Sequence, residues 1–273
     1  MRDESHGMHL RTIVSDAFGE QGIISLIQSV CQEGKFLTKT SRLCKVSDDT
    51  EPQTRNVFST GLDSNPGATA IFAEVGDHVE VVSVFPTGTA REDVSPIVAT
   101  LIADEWENGV EADIHAHIDI ETHIKFFSTD YLSINHLPLV NKYQVDLCAF
   151  AYVCEIVEQP SFSLTDAPWF KAVYGDAVKE GEPVTFSTAT MVAYIPKGKE
   201  YPTSAEFQTP VLAIDECSIF GTSMYRMKVK VASEDMNSTD VFATLYAKKE
   251  MFSVKPEVGT PIRGVLWMTG KIR

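Results

Sequence analysis

The densest chemistry in the chain lies in Asp113-Ile114-His115-Ala116-His117-Ile118-Asp119-Ile120-Glu121-Thr122-His123-Ile124. Every odd position is acidic or histidine, and the even positions are Ile, Ala, Ile, Ile, Thr and Ile. A period of two is that of a β-strand with one apolar and one titratable face. Histidines at i and i+2 share a face, and a strand rising ~3.3 Å per residue puts their Cα atoms about 6.6 Å apart. Two imidazoles so placed can lean onto one divalent ion, with a carboxylate or water completing the set. His115 and His117, assisted by Asp119 or Asp113, are therefore the candidate metal ligands, and a metal-dependent hydrolase is the catalytic alternative. On a straight strand His123 stands about 20 Å beyond His117. It joins them only if the chain turns near Asp119–Thr122. Against the metal stands a plain solvated strand face, which needs no further purpose in an antiparallel sheet.

A second alternating stretch has the opposite charge. Arg226, Lys228 and Lys230 interleave with Tyr225, Met227, Val229 and Val231. Residues 209–273 hold nine basic and seven acidic side chains, a net +2, which leaves −17 of the total −15 on the first 208 residues. Such asymmetry can orient two units against each other or steer head-to-tail association, so Arg226, Lys228 and Lys230 form a candidate binding face. Nucleic acid is disfavoured as a partner by the overall negative field.

The elements that would carry these faces form a weak internal repeat. Asp104-Glu105-Trp106 followed by Asn108-Gly109 and a strand resembles Asp215-Glu216-Cys217 followed by Phe220-Gly221 and a strand. Ile124–Val145 and Val241–Ile262 then span equal lengths before the closing strands. Each copy is a unit of roughly 60 residues with a hairpin, a third strand, a loop and a final pair, the size and order of a small OB-like barrel. The Ser95-Pro96 start and Gly109 end also suit a capped helix over 95–109, but β-branched Ile97, Val98, Thr100 and Ile102 favour strand.

The expected fold class is α+β, mostly antiparallel β. An N-terminal helix and hairpin region (1–92) precedes a first OB-like unit (93–159), a packed connector (160–208) and a second OB-like unit (209–273). Glu20–Gln32 has the apolar spacing of an amphipathic helix, and Ala68–Val75 with His78–Phe85 reads as a hairpin. Residues 1–19 read as a loosely held start and Ser47–Asn56 as a loop. The connector carries a helix candidate at Asp166–Val173 and a strand at Val184–Ile195.

Five cysteines, odd in number and without a CxxC pair, read as reduced thiols in a cytoplasmic protein. No apolar run approaches the ~18 residues of a membrane span, and no signal-peptide run opens the chain. No phosphate-cradling, nucleophile-elbow or dinucleotide motif is present. The function expected is a non-catalytic binding or assembly module that holds a protein partner or a second copy through exposed barrel faces. No cofactor is expected beyond a divalent metal at the histidines.

Overall fold

The computed structural model describes residues 6–47, 49–62, 66–134, 136–138, 141–164, 183–232 and 239–273. The helix candidate at Asp166–Val173 lies outside them. Among the described residues the chain is mostly β, with one helix of substantial length, α1 (Gly19–Glu33). No helix is long and apolar enough to cross a membrane.

α1 turns Gly22, Leu26 and Val30 inward at the i, i+4 spacing of one helix face. It packs on a four-stranded antiparallel sheet, β1 (Lys35–Cys44), β2 (Gln53–Gly61), β3 (Gly67–Val75) and β4 (His78–Thr87), in sequence order. The β3–β4 hairpin falls where the sequence put it, with Gly76 at φ +59° in the turn. β2 takes up Gln53–Asn56 at the end of the expected Ser47–Asn56 loop, and β1 precedes that loop. In β1 the inward positions Thr38, Thr40 and Arg42 are polar and Phe36, Leu37 and Leu43 are exposed, so no apolar alternation marks the core face.

Of the start expected to be loose, the stretch 9–14 is firmly packed. A 3-10 segment, His6–Thr12, and the turn after it bury His9, Leu10, Ile13 and Val14. His9 stacks on Trp267 with ring centroids 3.9 Å apart and bonds the Tyr152 hydroxyl through Nδ1. Lys248 fastens the next stretch, its Nζ donating to the Val14 carbonyl at 3.3 Å and to Asp16 at 2.5 Å.

Two similar runs follow. The first is β5 (Ile97–Glu105), β6 (Ala112–His117), β7 (His123–Ser128), a one-turn helix α2 (Tyr131–Ile134) and the long β8 (Lys142–Ile156). Residues 97–105 are thus strand. Next come the paired short strands β9 (Ser161–Leu164) and β10 (Val184–Ser187), then β11 (Ala193–Pro196), so the expected single strand at Val184–Ile195 is broken in two. The second run is β12 (Ser204–Ile219), β13 (Thr222–Ala232), β14 (Val241–Lys248), a 3-10 turn and the long β15 (Pro261–Ile272). β12 begins inside the segment expected as connector.

Apart from the separate β9–β10 pair, these strands make one nine-stranded sheet, β11-β12-β13-β14-β8-β15-β7-β6-β5, with further pairings β12–β15 and β8–β5. β8 and β15 are antiparallel along nearly their whole length, from Val145↔Ile272 to Ile156↔Ile262. Each also serves both runs. β8 pairs β5 near its start and β14, in parallel, at Cys148–Phe150. β15 pairs β12 over Pro261–Trp267 and β7, in parallel, at Thr269–Gly270.

The continuous apolar run in β8 follows from this position, because both of its faces are buried. Leu147, Ala149 and Ala151 enter one core with Leu101, Ile114, Phe126, Met227, Leu245 and Leu266. Cys148 and Phe150 enter the other, with Phe85, Phe127, Tyr246 and Trp267 and the apolar side of α1 and its sheet. At roughly 1.5–3 kcal/mol for each large apolar side chain fully buried, these two cores supply the main driving force.

Candidate functional site

The His/acid stretch is two strands joined by a tight turn. β6 ends at His117 and β7 begins at His123, with His117↔His123 and His115↔Lys125 as cross-strand partners. Asp119 makes the turn: its carboxylate accepts the backbone N–H groups of Glu121 at 3.0 Å and Thr122 at 2.7 Å, and the Thr122 hydroxyl at 3.0 Å. Those bonds, the Thr122 N–H foremost, hold its pKa below the usual carboxylate range. The Ile118 N–H donates to the Thr122 carbonyl at 3.1 Å and closes the loop. His117 and His123 are therefore the next, non-hydrogen-bonded pair, in which side chains approach most closely. Their ring centroids lie 4.5 Å apart, edge to face.

Of the expected ligands the fold brings His117 and His123 together and sets His115 one row along the same face. Asp119 is committed to the turn. Among the described residues no group of three His, Cys, Asp or Glu side chains is arranged to hold an ion.

Register carries this face across to β5, where Thr100 opposes His117 and Ile102 opposes His115. The inward side of the same strands is closed by Leu101, Ala116, Ile124 and Phe126. The outward side is mixed: Val98 is 48% exposed, Ile102 55%, and Ile120 at the hairpin tip 94%. Toward the other end the face passes under the N-terminal sheet, where Asp113 and Phe127 are buried and Phe127 packs edge-on against Phe85.

The corresponding outward face of β12–β13–β14 is covered by the chain itself. Residues 88–94, part of the link from β4 to β5, cross it as a strap that ends in a turn, where the Val94 N–H donates to the Arg91 carbonyl at 3.0 Å. Thr89 exchanges hydrogen bonds with the Tyr246 hydroxyl, 3.1 Å from its N–H and 2.6 Å to its carbonyl. The Arg91 N–H donates to Thr244 at 2.9 Å, and its guanidinium reaches Asp215 at 2.5 Å. Arg226 grips the same carboxylate with two bonds of 2.8 and 3.0 Å, a bidentate pair. The Arg226 bonds, then Arg91, hold the Asp215 pKa down, and Asp215 in turn raises that of Arg226. Lys228 donates to the Asp93 carbonyl at 2.5 Å, and Lys230 pairs with Asp240 at 2.9 Å. All three cations of the expected binding face thus have acceptors within the chain.

A cavity of about 510 Å³ opens between the four-stranded sheet and the first run, lined by Ser59, Thr69, Phe85, Glu111, Asp130 and Tyr131 among others. Glu111 is buried and held by the Asn108 amide. Asp130 accepts the Ser128 hydroxyl at 3.1 Å and the Ile272 N–H at 3.2 Å, and desolvation raises its pKa to about 6. Tyr131 donates to Glu105 at 3.0 Å, and burial, reinforced by that carboxylate, lifts its pKa to about 12. Neither Glu111 nor the half-buried Asp130 stood out in the sequence, because neither belongs to a patterned run of titratable residues. All five cysteines are free, and burial drives the Cys148 and Cys154 thiols well above the ordinary range.

Comparison with protein-family models, curated proteins and solved structures finds no match to this chain.

Proposed function

We propose that the protein is a non-catalytic binding or assembly module built from two OB-like barrels that exchange their closing strands. In an OB-fold three strands form a meander, the first pairs the fourth, and the third pairs the fifth in parallel, with a helix between strands three and four. The pairing rounds β5–β6–β7–β15–β8 and β12–β13–β14–β8–β15 support that topology twice, with α2 at the expected place in the first. β15 stands as the fifth strand of the first unit and β8 as that of the second. On this reading 93–159 and 209–273 are the two units and 160–208 the connector, with β12 reaching back to Ser204.

The function rests on one contrast. The outward face of strands one to three is occupied in the second unit by the strap, a segment held by Tyr246, Thr244, Asp215 and Lys228. The same face in the first unit presents Val98, Ile102 and Ile120 to solvent beside His115, His117 and Lys125. An exposed apolar row edged by titratable groups suits a protein surface, either a second copy or a partner. Nucleic acid is disfavoured by the net charge of −15. Free thiols throughout support a reducing, cytoplasmic setting.

Sedimentation equilibrium tests the assembly form of the reading. The wild type is expected to associate with rising concentration, and Ile102→Glu, at an exposed position, to reduce association at least tenfold while the circular dichroism stays unchanged. A single-chain mass at every concentration removes self-association. An association constant unmoved by Ile102→Glu removes this face.

A further inference from the structure

The His117–His123 contact carries a second consequence. We propose that these two side chains form a binding site for one divalent transition-metal ion of the zinc, nickel or copper class, at the turn end of the β6–β7 hairpin. Two imidazoles on a common ion, with metal–nitrogen bonds of about 2.05 Å meeting at roughly 90–109°, hold their ring centroids about 4.5–5.2 Å apart. The observed centroid separation is 4.5 Å. The rings therefore reach this spacing without any backbone movement.

The hairpin fixes that spacing. The Ile118–Thr122 closure places the histidines in a non-hydrogen-bonded pair, and the three bonds to the Asp119 carboxylate keep the loop from opening. Ala116 and Ile124, buried beneath, anchor the two strands to the core. The backbone thus holds the two rings at this spacing, and only rotation of the two side chains is left to order on binding. His123 is exposed and His117 half-buried, so an ion can enter from solvent and complete its shell with water. Neutral imidazole is a borderline donor that prefers zinc, nickel and copper to calcium or magnesium. Asp119 takes no part, because its oxygens are engaged in the turn. Binding is all that is proposed, and it does not depend on what protein the face holds.

The test uses the full chain without an affinity tag. Isothermal titration with Zn²⁺, Ni²⁺ and Cu²⁺ at pH 7.5 is expected to give one ion per chain with a micromolar dissociation constant, and no heat with Ca²⁺ or Mg²⁺. His117→Asn and His123→Asn should each weaken that site at least tenfold, and electron paramagnetic resonance of the copper form should show two nitrogen ligands. His78→Asn, at a surface histidine bonded to Glu80, should leave the affinity unchanged. Equal affinity in all three variants, or no binding below millimolar metal, would overturn the site. Circular dichroism of each variant separates loss of ligand from loss of fold.

Discussion

Asp130 should make the protein less stable as pH rises from 4 to 7, against the trend of its other perturbed carboxylates. Its pKa rises from an ordinary 3.8 to about 6, chiefly because burial strips water from the carboxylate. Between those values the folded state binds more protons than the unfolded one, so stability falls with rising pH. It is fully present below the unfolded pKa and lost as pH passes through about 6. Roughly two units at about 1.36 kcal/mol each set the effect near 3 kcal/mol. That is a ceiling, since the residue keeps some contact with solvent.

Asp130→Asn removes the titration and keeps an oxygen to accept the Ile272 N–H. Urea unfolding of wild type and variant at half-unit steps from pH 4 to 8 isolates the group. Asp93, Asp215 and Glu216, whose pKa values are held down by Arg91, Arg226 and Lys249 respectively, lose stability toward acid in both proteins and cancel in the difference. The variant should be equal to or slightly weaker than wild type at pH 4, and stronger by up to about 3 kcal/mol at pH 8. A difference constant to within about 0.5 kcal/mol across that range would refute the reasoning.

Three further outcomes follow from packing and ion pairs. Gly270→Ala places a methyl 2.4 Å from the buried ring of Phe126, so the urea midpoint should fall by the equivalent of about 1–3 kcal/mol. Lys248→Met removes the cation that holds Val14 and Asp16, and hydrogen exchange should accelerate over residues 9–18 with a stability loss of about 1–3 kcal/mol. Arg91→Ala loosens the strap while Arg226 still holds Asp215, so the Thr89 and Arg91 amides should exchange faster with little change in global stability.

How legible these features were depends on the range of the contacts behind them. α1, the β3–β4 hairpin and the alternation of Asp113 to Ile124 are written in neighbouring residues, and the sequence shows them. The Asp119 turn was open in sequence, because a polar residue at an odd position fits both a straight strand and a loop. β1 and β2 were hidden because β1 turns Thr38, Thr40 and Arg42 inward and leaves Phe36, Leu37 and Leu43 exposed, while only Val57 and Phe58 are large apolar residues in β2. The N-terminal turn was misjudged because Leu10, Ile13 and Val14 are too few to show a period, and their burial depends on β4, β8 and Trp267. Asp215 faces Arg226 across the β12–β13 hairpin, but Arg91 and the Asp93 carbonyl that meet Asp215 and Lys228 are brought in by tertiary structure alone.

The sharing of β8 and β15 bears on how the protein is made. β7 obtains its parallel neighbour only from Thr269 and Gly270, about 140 residues further along the chain. The first run therefore cannot complete its hydrogen bonding while the ribosome is still adding the second, and β7 waits with an open edge. Contacts of such high sequence separation also slow folding, because loop entropy is lost before the pairing is gained. Neither run should survive excision as an independent fragment, and unfolding should proceed as one transition rather than two.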